Sequence, residues 1–224
     1  MMIFVTTTDA LADEKLYEKA YSLIPEYRRV KTDRMKMREN KLQTVAAGLL
    51  LNYAVGKWSS TSEKEDDVCY EQVDVISVIN ANNQCFDYEV AYNEQGKPYF
   101  LSHNEIFFNI SHSSNYIVCI VGGRPVGIDI EEIREGRQNL ARRFFDKDET
   151  EWIEEGDSDE RFFRIWTLKE AYGKATGQGV LDILDKIVYR LMHGEIKAYI
   201  GGIPQNFTIV EREIDKFRLS AIQL

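Results

Sequence analysis

The chain has 224 residues, of which 44% are hydrophobic and 29% charged, and its formal net charge is −9. This length accommodates one large domain or two small ones, and the composition is that of an ordinary soluble globular protein. The negative charge argues against general nucleic-acid binding, and no apolar run reaches the roughly 18 residues of a membrane span.

The beginning of the chain predicts a strand rather than a signal peptide. No positively charged region precedes the apolar residues 2–5, and Asp9 and Asp13 follow early. The cysteines are odd in number and lack metal-ligand spacing; they are Cys69, Cys85 and Cys119. Their apolar or aromatic neighbours predict buried free thiols, which are typical of a reducing cytoplasm.

Hydrophobic periodicity predicts both strands and helices in the first half of the chain. The expected strands are 2–7, 85–92, 107–111, 117–121 and 126–130, the expected helices are 11–24 and 33–53, and a polar loop is expected at 59–67. The link at 122–125 is either a hairpin turn or a crossing between subdomains. Residues 26–41 hold seven basic and three acidic residues, which suits a small polyanionic ligand, although a solvated helix face would show the same composition.

The second half begins with helices and ends with strands. The expected helices are 138–145, 147–155 and 159–176, with Gly177 ending the last, and the expected strands are 187–192, 195–200, 207–210 and 217–222. This order predicts an α+β fold and argues against a doubly wound parallel sheet.

Three carboxylates and a lysine stand out as candidates for chemistry. Asp129 and Glu131 alternate in a β-branched run and therefore share one face of a strand, while Glu170 and Lys174 share one face of a helix. Two carboxylates ~7 Å apart repel by ~2 kcal/mol at an effective dielectric of ~20, so three facing groups need a cation. Hard oxygen ligands favour Mg²⁺. Taken singly, the strand pair is more often an exposed strand edge, and the helix pair is usually a solvated helix face.

Four sequence blocks together resemble a known family. They are Gly96-Lys97-Pro98, Phe108-Asn109-Ile110-Ser111-His112-Ser113, Gly127-Ile128-Asp129-Ile130-Glu131 and Trp166-Thr167-Leu168-Lys169-Glu170-Ala171-Tyr172-Gly173-Lys174. In order and spacing they are similar to the signature of the 4′-phosphopantetheinyl transferases, in the surfactin-synthetase-activating (Sfp-type) branch. The resemblance covers 96–174, extends more weakly to 25–51, and gives no motif for the last fifty residues.

The resemblance implies a fold of two similar α/β subdomains, a pseudo-dimer with the active site in the cleft between them. We expect an N-terminal subdomain at 1–124 and a C-terminal subdomain at 125–224. The implied activity moves the phosphopantetheine arm of coenzyme A to a serine of an acyl or peptidyl carrier protein. A monomeric, cytoplasmic, Mg²⁺-dependent enzyme is implied, with no nucleic-acid or membrane partner.

The resemblance also assigns roles to the residues of the reaction centre. Asp129, Glu131 and Glu170 match the metal ligands, and Glu170 also matches the proposed general base. Lys174 matches the lysine that contacts the pyrophosphate, and His112 matches a histidine at a phosphate, although a lone histidine is more often structural. For Lys169, about 100° from Glu170 around an ideal helix, a structural role and a phosphate contact stay open.

A further set matches residues that hold the nucleotide of coenzyme A: Arg28, Lys31, Gly96, Lys97, Pro98, Ser111, His112 and Lys174. Arg28 and Lys31 match ligands of the 3′-phosphate, and the segment at 96–98 matches the lining of the adenine and its phosphate. Many relatives have an arginine where this chain has Gln43. In this chain either Lys41 takes the place of that arginine at the 3′-phosphate, or that contact is absent.

The same residues leave room for two other functions and for a docking surface. The same carboxylates would serve another metal-dependent phosphoryl-transfer enzyme, such as a nucleotide phosphodiesterase, and a non-catalytic carrier-binding module could keep the fold. Segment 133–145 has four arginines and one glutamate, and Ile133 and Leu140 are expected to be exposed and to pack on a carrier helix. We predict that Arg137 and Leu140 contact the carrier, against the alternative of an ordinary helix, anchored by Phe144 and Phe145, whose arginines are solvated. The identity of the carrier and the acceptance of acylated coenzyme A are left open by the sequence.

Overall fold

The computed structural model describes residues 1–61, 67–82 and 88–224, and the chain divides into two compact units. Unit 1 comprises Met1–Ala91 and Pro98–Arg124, and unit 2 comprises Tyr92–Lys97 and Pro125–Leu224. The short segment Tyr92–Lys97 therefore packs with unit 2, although its sequence neighbours on both sides belong to unit 1.

Unit 1 is built around a mixed sheet. Up to residue 122 the elements are β1 (Met2–Thr7), α1 (Glu14–Leu23), α2 (Glu26–Asp33), α3 (Arg38–Ser60), β2 (Cys69–Gln72), α4 (Val75–Ala81), β3 (Val90–Tyr92), β4 (Pro98–Phe100), β5 (Phe107–Ser113) and β6 (Tyr116–Gly122). The sheet order is β2-β1-β6-β5; β1 and β2 are parallel, and the other two pairs are antiparallel. Strands β3 and β4 form a separate pair.

The core of unit 1 lies between α3 and the sheet. Helix α3 packs on β6 and β1, and its apolar side chains meet alternate residues of β6 in one buried cluster that includes Leu49, Leu50, Ile117, Cys119 and Val121. Because strand side chains alternate between faces, these residues of β6 all point toward the helix. The core therefore fixes β5, the neighbour of β6, in register.

Unit 2 places one long helix across an antiparallel sheet. Its elements are β7 (Val126–Glu132), α5 (Gln138–Phe144), α6 (Lys147–Glu154), α7 (Ser158–Thr176), β8 (Ile187–Met192), β9 (Glu195–Ile200), β10 (Ile203–Pro204), β11 (Thr208–Ile214) and β12 (Phe217–Gln223). The sheets have the orders β11-β12-β7 and β10-β9-β8, and α7 packs on β7 and β12. Apolar side chains of α7 such as Ile165 and Leu168 are fully or almost fully buried.

The α+β fold predicted from the sequence is confirmed, and many element positions agree. Strand β1 and the helix that ends at Gly177 lie where the periodicity predicts them, and Gly177 has φ of 77°, the left-handed conformation of a helix stop. The link at 122–125 is a crossing, because β6 and β7 belong to different sheets.

Several predicted boundaries are wrong for identifiable reasons. The helix expected at 11–24 begins only at Glu14, because the Asp13 side chain caps it by accepting from the Leu16 amide at 2.9 Å. The helix expected at 33–53 is α3, which begins five residues later and ends seven residues later than predicted. The basic run before it forms helix α2, which was not predicted. Strands β2, β4 and β10 and helix α4 were also missed.

Two expectations fall partly outside the described residues. The strand expected at 85–92 is seen only at Val90–Tyr92, because residues 83–87 are not described. The loop expected at 59–67 begins later than expected, because α3 continues to Ser60; residues 62–66 are not described. Cys119 is a buried free thiol as predicted, but Cys69 is exposed because β2 is an edge strand. Cys85 lies outside the described residues.

Candidate active site

Gly127 allows helix α7 to lie directly against strand β7. A Cβ atom at this position would lie 2.0 Å from the Ala171 carbonyl oxygen and 2.4 Å from the Ala175 amide nitrogen. Both neighbours are backbone atoms, so no side-chain rotation could relieve the overlap. The glycine of the first block is therefore required by the contact between strand and helix, and this contact brings the carboxylates of β7 near those of α7.

An ion pair joins the two elements at this contact. Asp129 is buried, with 4% of its surface exposed, and its Oδ1 accepts a hydrogen bond of 2.6 Å from the Nζ atom of Lys174. Asp129 and Lys174 are 45 residues apart, so their spacing in the sequence did not predict this ion pair. Lys174 thus lies beside the first predicted metal ligand and not on a solvated helix face.

The pKa values show that the three carboxylates share one electrostatic environment. Burial, and then the charge of Asp129, raises the pKa of Glu170 to about 7, while Lys174 opposes the rise. Burial and Asp129 also raise the pKa of Glu131, which Arg134 counters through an ion pair of 3.1 Å. Burial is the larger common cause and repulsion from Asp129 the second, and together they leave Glu170 poised to accept a proton near neutral pH.

The chemistry of this donor set fits a hard divalent cation. Asp129, Glu131 and Glu170 all offer carboxylate oxygens and are partly shielded from solvent. A bound cation would relieve the repulsion that contributes to the raised pKa values of Glu131 and Glu170. Within residues 1–61, 67–82 and 88–224, however, no three carboxylate, imidazole or thiolate groups lie close enough together to bind a metal ion, so the structure does not assemble Asp129, Glu131 and Glu170 into a metal site. The charge beside Asp129 in this structure is the ammonium of Lys174.

Lys97, predicted to line the adenine, belongs to unit 2 and points at its backbone. Its Nζ atom donates to the Ala175 carbonyl at 2.5 Å and to the Val126 carbonyl at 3.4 Å. Burial lowers the pKa of Lys97 to about 8, so the charged form still predominates at neutral pH. Gly96, with φ of 81°, forms the turn before it.

The remaining predicted ligands lie in unit 1. Arg28 and Lys31 are in α2, where partial burial and then the charge of Arg28 lower the pKa of Lys31. Ser111 is buried and His112 exposed near the end of β5. The buried Gln43 donates to the Ser114 carbonyl at 2.7 Å and so supports the turn that follows His112.

Lys169 has a structural role that the sequence left open. Lys169 and Glu149 are both fully buried and form an ion pair of 2.9 Å. The same ammonium donates to the carbonyls of Leu184 and Ile187, at 2.7 and 2.5 Å. The carboxylate of Glu149 accepts from the Tyr189 amide at 2.8 Å. Glu149 was not predicted, although the Asp146-x-x-Glu149 capping box that begins α6 could have indicated it.

The predicted docking segment is less exposed than expected. Arg137 is exposed, but Ile133 and Leu140 are half-buried and pack against the core of unit 2. Because α5 is amphipathic and short, its apolar side faces inward and leaves mainly its arginines to solvent. The expectation of exposed apolar residues at 133 and 140 is therefore wrong.

Comparisons with known proteins agree with this geometry. Residues 125–215, which contain β7 and α7, match the model of the 4′-phosphopantetheinyl transferase superfamily. A 4′-phosphopantetheinyl transferase of Bacillus subtilis is 39% identical over 101 residues, which is 44% of this chain and 45% of the relative. The transferase gsp of Aneurinibacillus migulanus is 39% identical over 143 residues, 62% and 59% of the two chains. The transferase Sfp of Bacillus subtilis strain 168 is 34% identical over 122 residues, 52% and 54%.

Over residues 125–215 the chain is therefore similar to the 4′-phosphopantetheinyl transferase superfamily. Among the named relatives, gsp and Sfp show that the similarity extends to the Sfp-type branch. The alignments span about half of the length of these curated relatives. No helix in the described part of the chain is long and apolar enough to cross a membrane.

Proposed function

We propose that this chain transfers the 4′-phosphopantetheine arm of coenzyme A to a serine of an apo acyl or peptidyl carrier protein. The other product is adenosine 3′,5′-bisphosphate. The observation that carries the proposal is the meeting of Asp129, Glu170 and Lys174 where β7 contacts α7, inside the segment that matches the family. Buried acids beside a lysine are what a phosphoryl-type transfer needs, because it requires charge neutralisation and a proton acceptor.

In the proposed step the serine oxygen bonds to the β-phosphorus of coenzyme A. The bond from that phosphorus to the bridging oxygen breaks, and this oxygen leaves on the adenosine bisphosphate. The serine proton passes to Glu170, directly or through a water. A pKa of about 7 suits this role, since a useful fraction of Glu170 is deprotonated at neutral pH and can hold the proton.

Asp129, Glu131 and Glu170 are proposed to hold Mg²⁺, which when bound would neutralise the pyrophosphate oxygens. Lys174 is proposed to stabilise the charge that develops on the leaving group. It already lies within 2.6 Å of Asp129, so it needs little movement to act near the same carboxylates. Glu170 is proposed both as a ligand and as the proton acceptor.

The residues of unit 1 are proposed to bind the nucleotide. Arg28 and Lys31 would hold the 3′-phosphate, since they are adjacent cations whose repulsion an anion would relieve. Ser111 and His112 are proposed to donate to a phosphate, and the segment at 96–98 to line the adenine. The contacts of Arg28 and Lys31 with the 3′-phosphate would lie away from the reacting phosphorus and bind ground and transition states alike, so they should act on KM.

The carrier protein is proposed to dock on segment 133–145. Arginine side chains on α5, including exposed Arg137, suit an acidic carrier surface. Because Leu140 packs against the core, the test uses Arg137→Glu alone, which should raise KM for the carrier and leave KM for coenzyme A unchanged. Unaltered carrier kinetics would place docking elsewhere. We also propose that the protein acts as a monomer in a reducing cytoplasm, without a nucleic-acid or membrane partner.

The release of adenosine bisphosphate tests the proposed function. Wild-type protein is incubated with coenzyme A and Mg²⁺, with and without apo carrier, and the nucleotide products are separated by chromatography. The proposal expects release only when apo carrier is present. Release without carrier would indicate a phosphodiesterase, and no release with any of a panel of carriers would indicate a non-catalytic binding module.

A further inference from the structure

We propose that Lys97 is a positioning residue whose ammonium clamps the C-terminal end of α7 to the start of β7. Its effect on catalysis rests on the proposed function, whereas the clamp itself does not. This role differs from that of a ligand for the adenine or its phosphate, which the sequence resemblance implied for the segment around it.

The clamp rests on two contacts within unit 2. The Nζ atom of Lys97 lies 2.5 Å from the Ala175 carbonyl oxygen, in the last turn of α7, and 3.4 Å from the Val126 carbonyl oxygen, in the first residue of β7. The last four carbonyls of a helix lack partners within the helix. An ammonium satisfies one of them and also interacts favourably with the negative end of the helix dipole.

The segment before Lys97 is a built support for this side chain. The side-chain Oδ1 atom of Asn93 accepts from the backbone amides of Gln95 and Lys97 at 3.1 and 2.8 Å. The backbone amide of Asn93 donates to the Lys97 carbonyl at 3.0 Å. The left-handed Gly96 closes the turn. The turn is therefore held by its own hydrogen bonds, so that the ammonium of Lys97 enters from a fixed direction.

Close packing continues to the helix stop. A Cβ atom at Gly177 would lie 3.3 Å from Asn93 Nδ2 and 3.5 Å from Lys97 Cδ. The stem of Lys97 thus covers the residue that ends α7. This packing accounts for the grouping of Tyr92–Lys97 with unit 2 rather than with its sequence neighbours.

The clamp is placed where it can fix the reaction centre. Ala175 follows Lys174 directly and lies five residues after Glu170, while Val126 precedes Asp129 by three residues. Bridging the two carbonyls holds the start of β7 against the last turn of α7, which carries Lys174, the partner of Asp129. Small shifts of a catalytic helix are costly, because a misplacement of ~1 Å can reduce a rate by ~10²-fold.

Lys97→Met keeps most of the packing stem and removes the charge and the donors. Hydrogen–deuterium exchange of the ligand-free protein should show exchange at 170–177 faster by about tenfold, as loss of a charge-assisted hydrogen bond implies. The matched control is Lys197→Met, at an exposed lysine, which should leave this exchange unchanged. Exchange at 170–177 that is the same in Lys97→Met and wild type would overturn the clamp, whether or not the protein is a transferase.

A substrate comparison separates positioning from phosphate binding. With coenzyme A, kcat of Lys97→Met should fall by about 10- to 100-fold while KM changes little. With 3′-dephospho-coenzyme A the same fractional loss of kcat is expected, because the clamp acts on the protein. A loss confined to KM, which disappears when the 3′-phosphate is absent, would show that Lys97 is a phosphate ligand and overturn the positioning role.

Discussion

Replacing Lys169 by methionine should destabilise the protein strongly, because it leaves the Glu149 carboxylate buried without its cation. Both side chains are fully buried, and the ammonium also serves the carbonyls of Leu184 and Ile187. Removing one partner of a buried pair costs about 3–5 kcal/mol, a large part of the roughly 5–15 kcal/mol that holds a domain folded. For a chain of this size, a loss of this kind lowers Tm by about 6–20 °C.

The loss should depend on pH in a defined direction. Burial raises the pKa of Glu149 above its ordinary value of 4.5, and Lys169 opposes this rise. Without Lys169 the pKa should rise further, so the folded state binds a proton more readily than the unfolded state. Stability from such a group is present below about 4.5 and is lost as pH rises through the folded pKa. The deficit of Lys169→Met should therefore shrink as the pH falls from 7.

Thermal unfolding followed by circular dichroism measures both effects. The control combines Lys169→Met with Glu149→Gln, which removes both charges and keeps an acceptor for the Tyr189 amide. This double variant should recover more than half of the lost Tm, because the uncompensated charge is gone. A Lys169→Met protein that melts within about 2 °C of wild type at pH 7 would refute the reasoning.

Three further predictions concern the reaction centre. Asp129→Ala should reduce transfer by on the order of 10²-fold or more while the protein stays folded, since ~2 kcal/mol of relieved repulsion offsets the lost ion pair with the partly exposed Lys174. Near-normal Mg²⁺-dependent turnover would contradict the metal assignment. Arg28→Ala should raise KM for coenzyme A by about tenfold, whereas Lys174→Ala should mainly lower kcat. Steady-state kinetics that show the reverse would contradict the binding role of Arg28 and the catalytic role of Lys174. Gly127→Ala should lower stability by about 2 kcal/mol or more in urea unfolding, because its Cβ would meet backbone at 2.0 Å. Gly123→Ala, whose Cβ would have 3.7 Å to Trp58, should cost much less, and equal losses would argue against close helix–strand contact.

The parts of the site that follow local periodicity could be predicted from the sequence. Asp129 and Glu131 alternate on one strand, and Glu170 and Lys174 are one turn apart on one helix, so spacing alone assigns each pair to a face. The end of α7 could also be predicted, because Gly177 readily adopts the left-handed backbone conformation that ends a helix. These features depend on residues a few positions apart.

The parts that depend on distant pairs could not be predicted. Lys97 donates to a carbonyl 78 residues away, and the Lys169–Glu149 pair joins two helices. No spacing rule encodes such contacts, because they arise only when distant segments of unit 2 pack together. Helix α2 was missed for another reason: its buried side is small, with Thr32 buried, so its charged composition hides the helical period.

The intact mass of a carrier protein tests the central claim most directly. An apo carrier is incubated with this protein, coenzyme A and Mg²⁺, in parallel with a carrier in which the acceptor serine is replaced by alanine. The proposed transferase should increase the mass of the serine carrier by one phosphopantetheine group and leave the alanine carrier unchanged. An unmodified serine carrier in a mixture where coenzyme A has been cleaved would contradict the proposed transfer.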